Sequence, residues 1–394
     1  MRSRSRNVST GPCSQLLERL APVRSVGTRF GRACGGATPT LPPMFQGLRD
    51  WDGESVTVRF DAPTRTWMFV AVHSTVLGPA FGGTRMKLYP SPEDALRDVL
   101  RLSAAMTAKN AVASLPFGGG KAVLAVPRVP GAGSPGRREL MLRYGSLIES
   151  LRGTYITAAD MNTGPADLDV VGERTAHVMG RSPDRGGAGD SGSATAMGVF
   201  HAIRASCGHA FGSRDLDGRS VAIQGVGSVG SRLAELLSEA RARLTLADVD
   251  ADRAQQLADR FGASRVDAAT ILAEPCDALA PCATGGVLNA GTIPGLACRV
   301  VAGAANNQLA TPEDADRLAA RGILYAPDYV ANAGGVLHLA GFEALGWNEA
   351  EMAARLAGIE VTLAEVFAAA EHDGITTAEA ADRLALARIA AANA

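Results

Sequence analysis

The stretch SVAIQGVGSVGSRLAELLSEARARLTLADVD, residues 220–250, constrains the fold more tightly than any other part of the chain. An apolar, partly β-branched run leads into Gly225-x-Gly227-x-x-Gly230, an amphipathic helical pattern follows, and a second apolar run ends on Asp248. A strand, a tight glycine turn, a helix and a second strand in this order pack as a right-handed βαβ crossover, which requires a parallel sheet. Glycines at these positions permit a sharp turn and a close approach of backbone to a pyrophosphate, whose charge is met by the helix N-terminus. Gly225, Val226, Gly227, Ser228, Val229 and Gly230 therefore form a candidate phosphate loop. Asp248, 18 residues past Gly230, is placed to accept hydrogen bonds from the adenine ribose. A carboxylate there repels a 2′-phosphate, and Val249, Asp250 and Ala251 supply no arginine to receive one, so NAD is expected over NADP.

Further strand and helix patterns continue this rhythm near 276–280 and 300–305. Before it, SVTVRFD and TWMFVAVHS read as strands, and SPEDALRDVLRLSAAMTAKN as a helix with Ser91 as N-cap and Lys109 near its end. A glycine loop, the strand KAVLAV, a helix near 137–152 and the strand TYITA follow, with Asp160 directly after the last. At 394 residues the chain is long enough for two cores. The expected architecture is α/β, with two domains separated by a cleft. Residues 44–185 form a substrate domain, completed by a C-terminal helix at about 370–394, and residues 190–368 form a Rossmann-type dinucleotide-binding domain. The glycine-rich GRSPDRGGAGDSGS, 180–193, is the candidate hinge.

A formal net charge of −1 without a basic patch argues against a nucleic acid partner, and no apolar run reaches the length of a membrane span, so a soluble protein is expected. The six cysteines are far apart and lack metal-site spacing; they read as buried thiols of a cytoplasmic protein. Residues 1–43 hold seven arginines and a single carboxylate, Glu18, which fits a dispensable tail, a start placed too far upstream, or an organelle transit peptide.

LPFGGGKAVLAVP, 115–127, resembles a triphosphate loop only superficially. A Walker loop needs a glycine five before Gly120 and Ser or Thr after the lysine; this chain has Leu115 and Ala122. Lys121, packed among glycines and an apolar strand, instead suggests a desolvated amine of lowered pKa, with Lys109 as the second cation that lowers it further.

FGGTRMKLY, MTAKN, LPFGGGKAV, TAADMNT, GGAGDS, TAMGVF, QGVGSVG, APCATGGVLN, VAGAANNQL and APDYVANAGGV occur in this order. Over about residues 66–390 the chain thus resembles the amino acid dehydrogenases of the leucine, valine and phenylalanine group, relatives of glutamate dehydrogenase. The resemblance implies NAD-linked oxidative deamination of an L-amino acid to a 2-oxo acid and ammonia. It implies Lys121 and Asp160 as catalytic groups, and Lys109, with Gly82, Gly83 and Asn306, as substrate-binding ones. Thr195 and Asn306 would also serve the nicotinamide end of the cofactor. Side-chain selectivity would rest on Phe81, Val336 and Leu339, which also suit core packing. All three are apolar, which disfavours glutamate and favours a branched aliphatic substrate, with phenylalanine as the alternative.

SLPFGGGKAVLAVP looks more like the phenylalanine enzymes and RSPDRGGAGDS more like the valine ones. HLAGFEALGW, 338–347, departs from the acidic ADEL common at this point in the family. A homo-oligomer without metal is expected. A non-catalytic NAD-responsive regulator and a 2-hydroxy acid dehydrogenase are the rival readings; the first would fit loss of a lysine or Asp160, the second a histidine in a motif, and neither is found.

Overall fold

Two strands rich in β-branched and aromatic residues, β1 (Ser55–Asp61) and β2 (Thr66–Ser74), pair antiparallel across a tight turn that ends on Arg65 at φ 54°. They belong to a mixed five-stranded sheet, order β1-β2-β4-β3-β5, in which β3 (Ala80–Lys87) runs parallel to both β4 (Gly118–Ala125) and β5 (Tyr155–Ala159). The computed structural model describes residues 43–392. The arginine-rich tail, with Cys13 and Cys34, lies outside the described residues apart from Pro43.

Helix α1 (Pro43–Asp50) precedes this sheet, and α2 (Pro92–Val112) packs across it. Ser91 caps α2 by accepting the Asp94 N–H, with Pro92 in the first turn. Gly118–Gly120 form the first residues of β4, whereas the sequence suggested a loop. The cause is α2: a Cβ at Gly119 would run into the backbone of Thr107, so only glycine lets helix and strand approach this closely. The glycines beside Lys121 thus serve packing. Helices α3 (Pro135–Ser150) and α4 (Pro165–Gly172) cover the other side.

The second sheet is wholly parallel, with β6 (Ser220–Gln224), β7 (Arg243–Ala247), β8 (Ser264–Arg265), β9 (Ala278–Pro281), β10 (Val300–Val301) and β11 (Leu324–Tyr325) in the order β11-β10-β9-β6-β7-β8. The strand order reverses at β6, which is the dinucleotide crevice of a doubly wound fold. Helix α5 (Gly192–Phe211) enters this half; α6 (Ser228–Glu239) and α7 (Ala251–Phe261) follow β6 and β7. The chain continues through α8 (Glu313–Ala320), α9 (Asp328–Ala331), α10 (Gly334–Glu343), α11 (Glu349–Asp373) and α12 (Thr377–Ala392). Helix α12 returns to α2, where Arg388 donates to the carbonyls of Ala111 and Val112. One apolar cluster runs from Phe81 and Ile156 through Ala194 and Val199 to Ile223, so the two halves share a core.

The glycine-rich crossover at 180–193 contains a short turn of helix, Pro183–Arg185, and is tied to its surroundings through carboxylates. Asp169 accepts from the Ser182 N–H and hydroxyl, and Glu343 Oε1 accepts from the N–H groups of Gly180 (2.7 Å) and Ala188 (2.8 Å). The departure at 338–347 thus still supplies an acid, Glu343. Of the described cysteines, Cys207 and Cys298 are buried; Cys276 and Cys282 are half-buried, which corrects the expectation that all are interior.

Candidate active site

The C-terminal half of α2, the first part of β3, Lys121 in β4 and the end of β5 face the loops of the second sheet across a cavity of about 300 Å³. Lys109, Lys121, Asp160, Gly82, Gly83, Phe81, Thr195, Asn306, Val229, Val336 and Leu339 all line it. The other phosphate-loop residues and Asp248 lie beyond it, around the start of α6.

Lys121 is 6 % exposed, and its Nζ lies 3.4 Å from Asp160 Oδ2. Register explains its aim: β4 pairs Lys121 with Ala71 on one side, so the side chain emerges from a sheet buried on both faces. Burial pushes its ammonium pKa down; Asp160 opposes this and Arg85 adds to it. Arg85 is therefore the principal second cation, a role the sequence suggested for Lys109. Its Nε donates to Asp160 Oδ2 at 2.9 Å and its Nη1 to Asp98 Oδ2 at 3.1 Å. Asp98 also accepts from the Tyr89 hydroxyl (2.6 Å) and from Arg101 (2.8 Å). A buried ladder thus runs from Lys121 through Asp160 and Arg85 to Asp98. Burial opposes ionisation of Asp160, but Lys121 and then Arg85 outweigh it and hold the carboxyl at about 2.

Lys109 is 9 % exposed and donates from Nζ to Asn306 Oδ1 at 3.0 Å, joining α2 to the second half of the chain. Asn332 Nδ2 donates to the same oxygen at 2.9 Å, which fixes the orientation of the Asn306 amide. Burial brings the Lys109 ammonium down to about 8, with Asp328 resisting the shift and Lys121 adding to it.

At the crevice, β6 is followed by Gly225 at φ 91°, a left-handed conformation that glycine adopts without strain. A Cβ at Gly230 would strike the Gly225 carbonyl oxygen, so α6 can begin this close to the strand only with glycine there. Nothing would obstruct a Cβ at Gly227, which faces open space at the N-terminus of α6. Ser228 Oγ donates to Asp190, which is also paired with Arg232 (2.9 Å). Thr195, in the first turn of α5, donates to the Ser191 carbonyl and lines the cleft. Asp248 accepts from the Val226 N–H (2.8 Å) and the Asp250 N–H (2.9 Å). It also pairs with Arg253 Nη2 at 2.7 Å. Val249, Asp250 and Ala251 offer no arginine, but Arg253 reaches back to Asp248 from the first turn of α7. The open turn, the free helix end and the carboxylate suit a dinucleotide.

Phe81, Leu102, Ala105, Met106, Val336 and Leu339 give the cleft an apolar wall, with Phe81 packed against Phe117 at a ring distance of 5.6 Å. Each cation lining the cleft already has a hydrogen-bonding or ionic partner. Sequence reasoning missed Arg85, Asp98, Asp328, Asn332, Leu102 and Met106 as site residues. Arg85 and Asp328 both lay inside motifs singled out, FGGTRMKLY and APDYVANAGGV, as charges embedded in otherwise apolar segments.

Residues 61–177 match the family model described as Glu/Leu/Phe/Val dehydrogenase, dimerisation domain, and residues 186–252 and 245–394 match Glutamate/Leucine/Phenylalanine/Valine dehydrogenase. The chain is 42 % identical to a leucine dehydrogenase of Geobacillus stearothermophilus over 349 residues, 88 % of this chain and 93 % of the relative. It is 44 % identical to a valine dehydrogenase of Streptomyces albus over 347 residues, covering 86 % and 93 %. The crystal structure of L-tryptophan dehydrogenase from Nostoc punctiforme superimposes with a TM-score of 0.74 at 38 % identity, covering 89 % of this chain and 99 % of that one. With both halves matched and the relatives spanning most of its length, the chain belongs to the glutamate/leucine/phenylalanine/valine dehydrogenase family.

Proposed function

We propose that the protein is an NAD-dependent L-amino acid dehydrogenase that reversibly converts an apolar, branched-chain amino acid to its 2-oxo acid and ammonia. The observation that carries this reading is the buried Lys121–Asp160 pair, set beside Lys109 in an apolar cleft that the helix following the phosphate loop also reaches. Overall, amino acid, NAD+ and water give 2-oxo acid, ammonium, NADH and a proton. Lys109 holds the α-carboxylate and so orients Cα. When bound, NAD supplies the acceptor for the hydride leaving Cα. Lys121, neutral at alkaline pH because burial depresses its pKa, takes a proton from the water that attacks the resulting iminium carbon. Its ammonium form then steadies the developing oxyanion. Asp160, a carboxylate at rest, accepts a proton from the substrate ammonium before the hydride leaves and returns it to the departing amine. Asn306, fixed by Asn332, keeps its amide N–H groups turned toward the substrate and nicotinamide ribose.

NAD is preferred because Asp248 and Asp250 both flank Arg253 and leave that corner net negative. The phosphate loop from Gly225 to Gly230 holds the pyrophosphate, and Thr195 the nicotinamide amide. Phe81 and Leu339 narrow the apolar end of the cleft, which favours branched aliphatic side chains over aromatic ones. The enzyme works as a homo-oligomer in the cytoplasm; the first half matches a dimerisation domain, and its edge strand β1 exposes Val58 and Phe60. Among the described residues no helix is long and apolar enough to cross a membrane.

A panel assay of NADH formation at alkaline pH tests the reading. Leucine, valine or isoleucine should turn over fastest, phenylalanine slowly and glutamate not at all. Absence of turnover with every amino acid, while NADH still binds, would refute it.

A further inference from the structure

Asp328 lies in the same cleft but has no part in the steps above. It opens the short helix α9, is 9 % exposed, and lines both the cleft and a second cavity behind it, shared with Arg101 and Thr311. Its Oδ2 accepts the Gln308 N–H at 2.9 Å, and the Asn307 and Tyr329 N–H groups also point to the carboxylate. No cation lies within ion-pair distance of it among the described residues. A buried carboxylate held only by amides is costly unless its charge is used. The loop it grips carries Asn306, the acceptor of the Lys109 ammonium, and Asn332, one turn further along, donates to that same Asn306 oxygen.

We propose that Asp328 is the positioning residue for Lys109, gripping the 306–308 loop and setting a fixed negative charge across the cleft so that Lys109 meets the substrate α-carboxylate as a cation. This rests on the amino acid dehydrogenase reading. Lys109 faces Asp328 from α9, Lys121 from β4 and Asp160 from the end of β5; Asp328 in turn faces Lys109, with the Tyr325 and Tyr329 hydroxyls beside it and Asp382 behind Tyr329. Of the two acids, Asp328 does more to keep Lys109 charged against burial and Lys121. Carboxylate binding needs the ammonium, so affinity is present below the Lys109 pKa and is lost as pH rises through it. Without the Asp328 charge that loss comes at lower pH.

The test is Asp328→Asn, titrated calorimetrically with 4-methyl-2-oxopentanoate in the presence of NAD from pH 7 to 10.5, alongside leucine kinetics. Binding should weaken about tenfold at pH 9 and the midpoint of its alkaline loss should move down by about one pH unit. KM should rise by a similar factor while kcat stays within about threefold. Asp328→Glu, which keeps the charge, should retain the wild-type midpoint, and it serves as the test if the asparagine variant does not fold. A fall in kcat with unchanged KM and midpoint, or a glutamate variant whose midpoint drops, overturns the proposal. Failure of the wild-type protein itself to bind the oxo acid and to oxidise any amino acid overturns the dehydrogenase reading, and the Asp328 role with it.

Discussion

Lys121→Ala should lower kcat for amino acid oxidation by about 10²–10⁴-fold, the usual worth of a positioned acid–base group. The reason lies in the microenvironment. Lys121 is nearly inaccessible, its pKa is depressed by burial, and among the described residues the only anion touching it is Asp160 at 3.4 Å. Among the described residues no histidine or cysteine lines the cleft to take over the proton transfer. Substrate affinity should change little, because the carboxylate-binding role proposed for Lys109 belongs to a different element, α2. A drop in kcat with near-constant KM is therefore the expected signature; equal loss through KM would assign Lys121 to binding instead. Lys121→Arg should not rescue, since a guanidinium stays protonated at all working pH values and cannot accept a proton from water. The variant should remain folded, because Asp160 keeps its Arg85 partner at 2.9 Å when Lys121 is removed.

The parts of the fold carried by local patterns were legible in the sequence. The glycine turn before α6, the alternating apolar runs and the Ser91 cap each report on neighbours a few residues away, and they mark β6, α6, β7 and α2. What could not be read were contacts between segments far apart in sequence. Gly119 appears as loop until α2 is seen to press on it. Arg253 returns to Asp248 from the next helix. Asp328 grips the Asn306 loop 20 residues earlier and acts through its charge on Lys109 more than 200 residues earlier, which no periodicity reports. The resemblance brought Lys109, Lys121 and Asp160 to one site; it did not identify the charges that set their protonation.

Arg85 is the clearest of those charges, and Arg85→Met should damage both stability and the pH profile. The side chains of Arg85, Asp160 and Asp98 are 11 %, 16 % and 14 % exposed, so removing the arginine takes a bridging cation from two buried carboxylates and leaves Asp160 with Lys121 and Asp98 with Arg101. Weakening two buried pairs in this way costs up to about 3–5 kcal/mol, which predicts a fall in thermal midpoint of about 4–7 °C. Asp160, held at about 2 in the folded protein, contributes stability above its unfolded pKa that disappears as pH falls toward that value. Loss of Arg85 raises the folded pKa, so acid unfolding should begin at higher pH. The same loss leaves Asp160 to act on Lys121 alone and removes a repelling cation, so the Lys121 pKa rises and the acid limb of kcat moves upward. Arg85→Lys, which keeps the charge but not the fork that bridges two carboxylates, should recover the pH limb more fully than the stability. An unmoved acid limb in the methionine variant would make Arg85 a structural tie only, and would return the tuning of Lys121 to burial and Asp160.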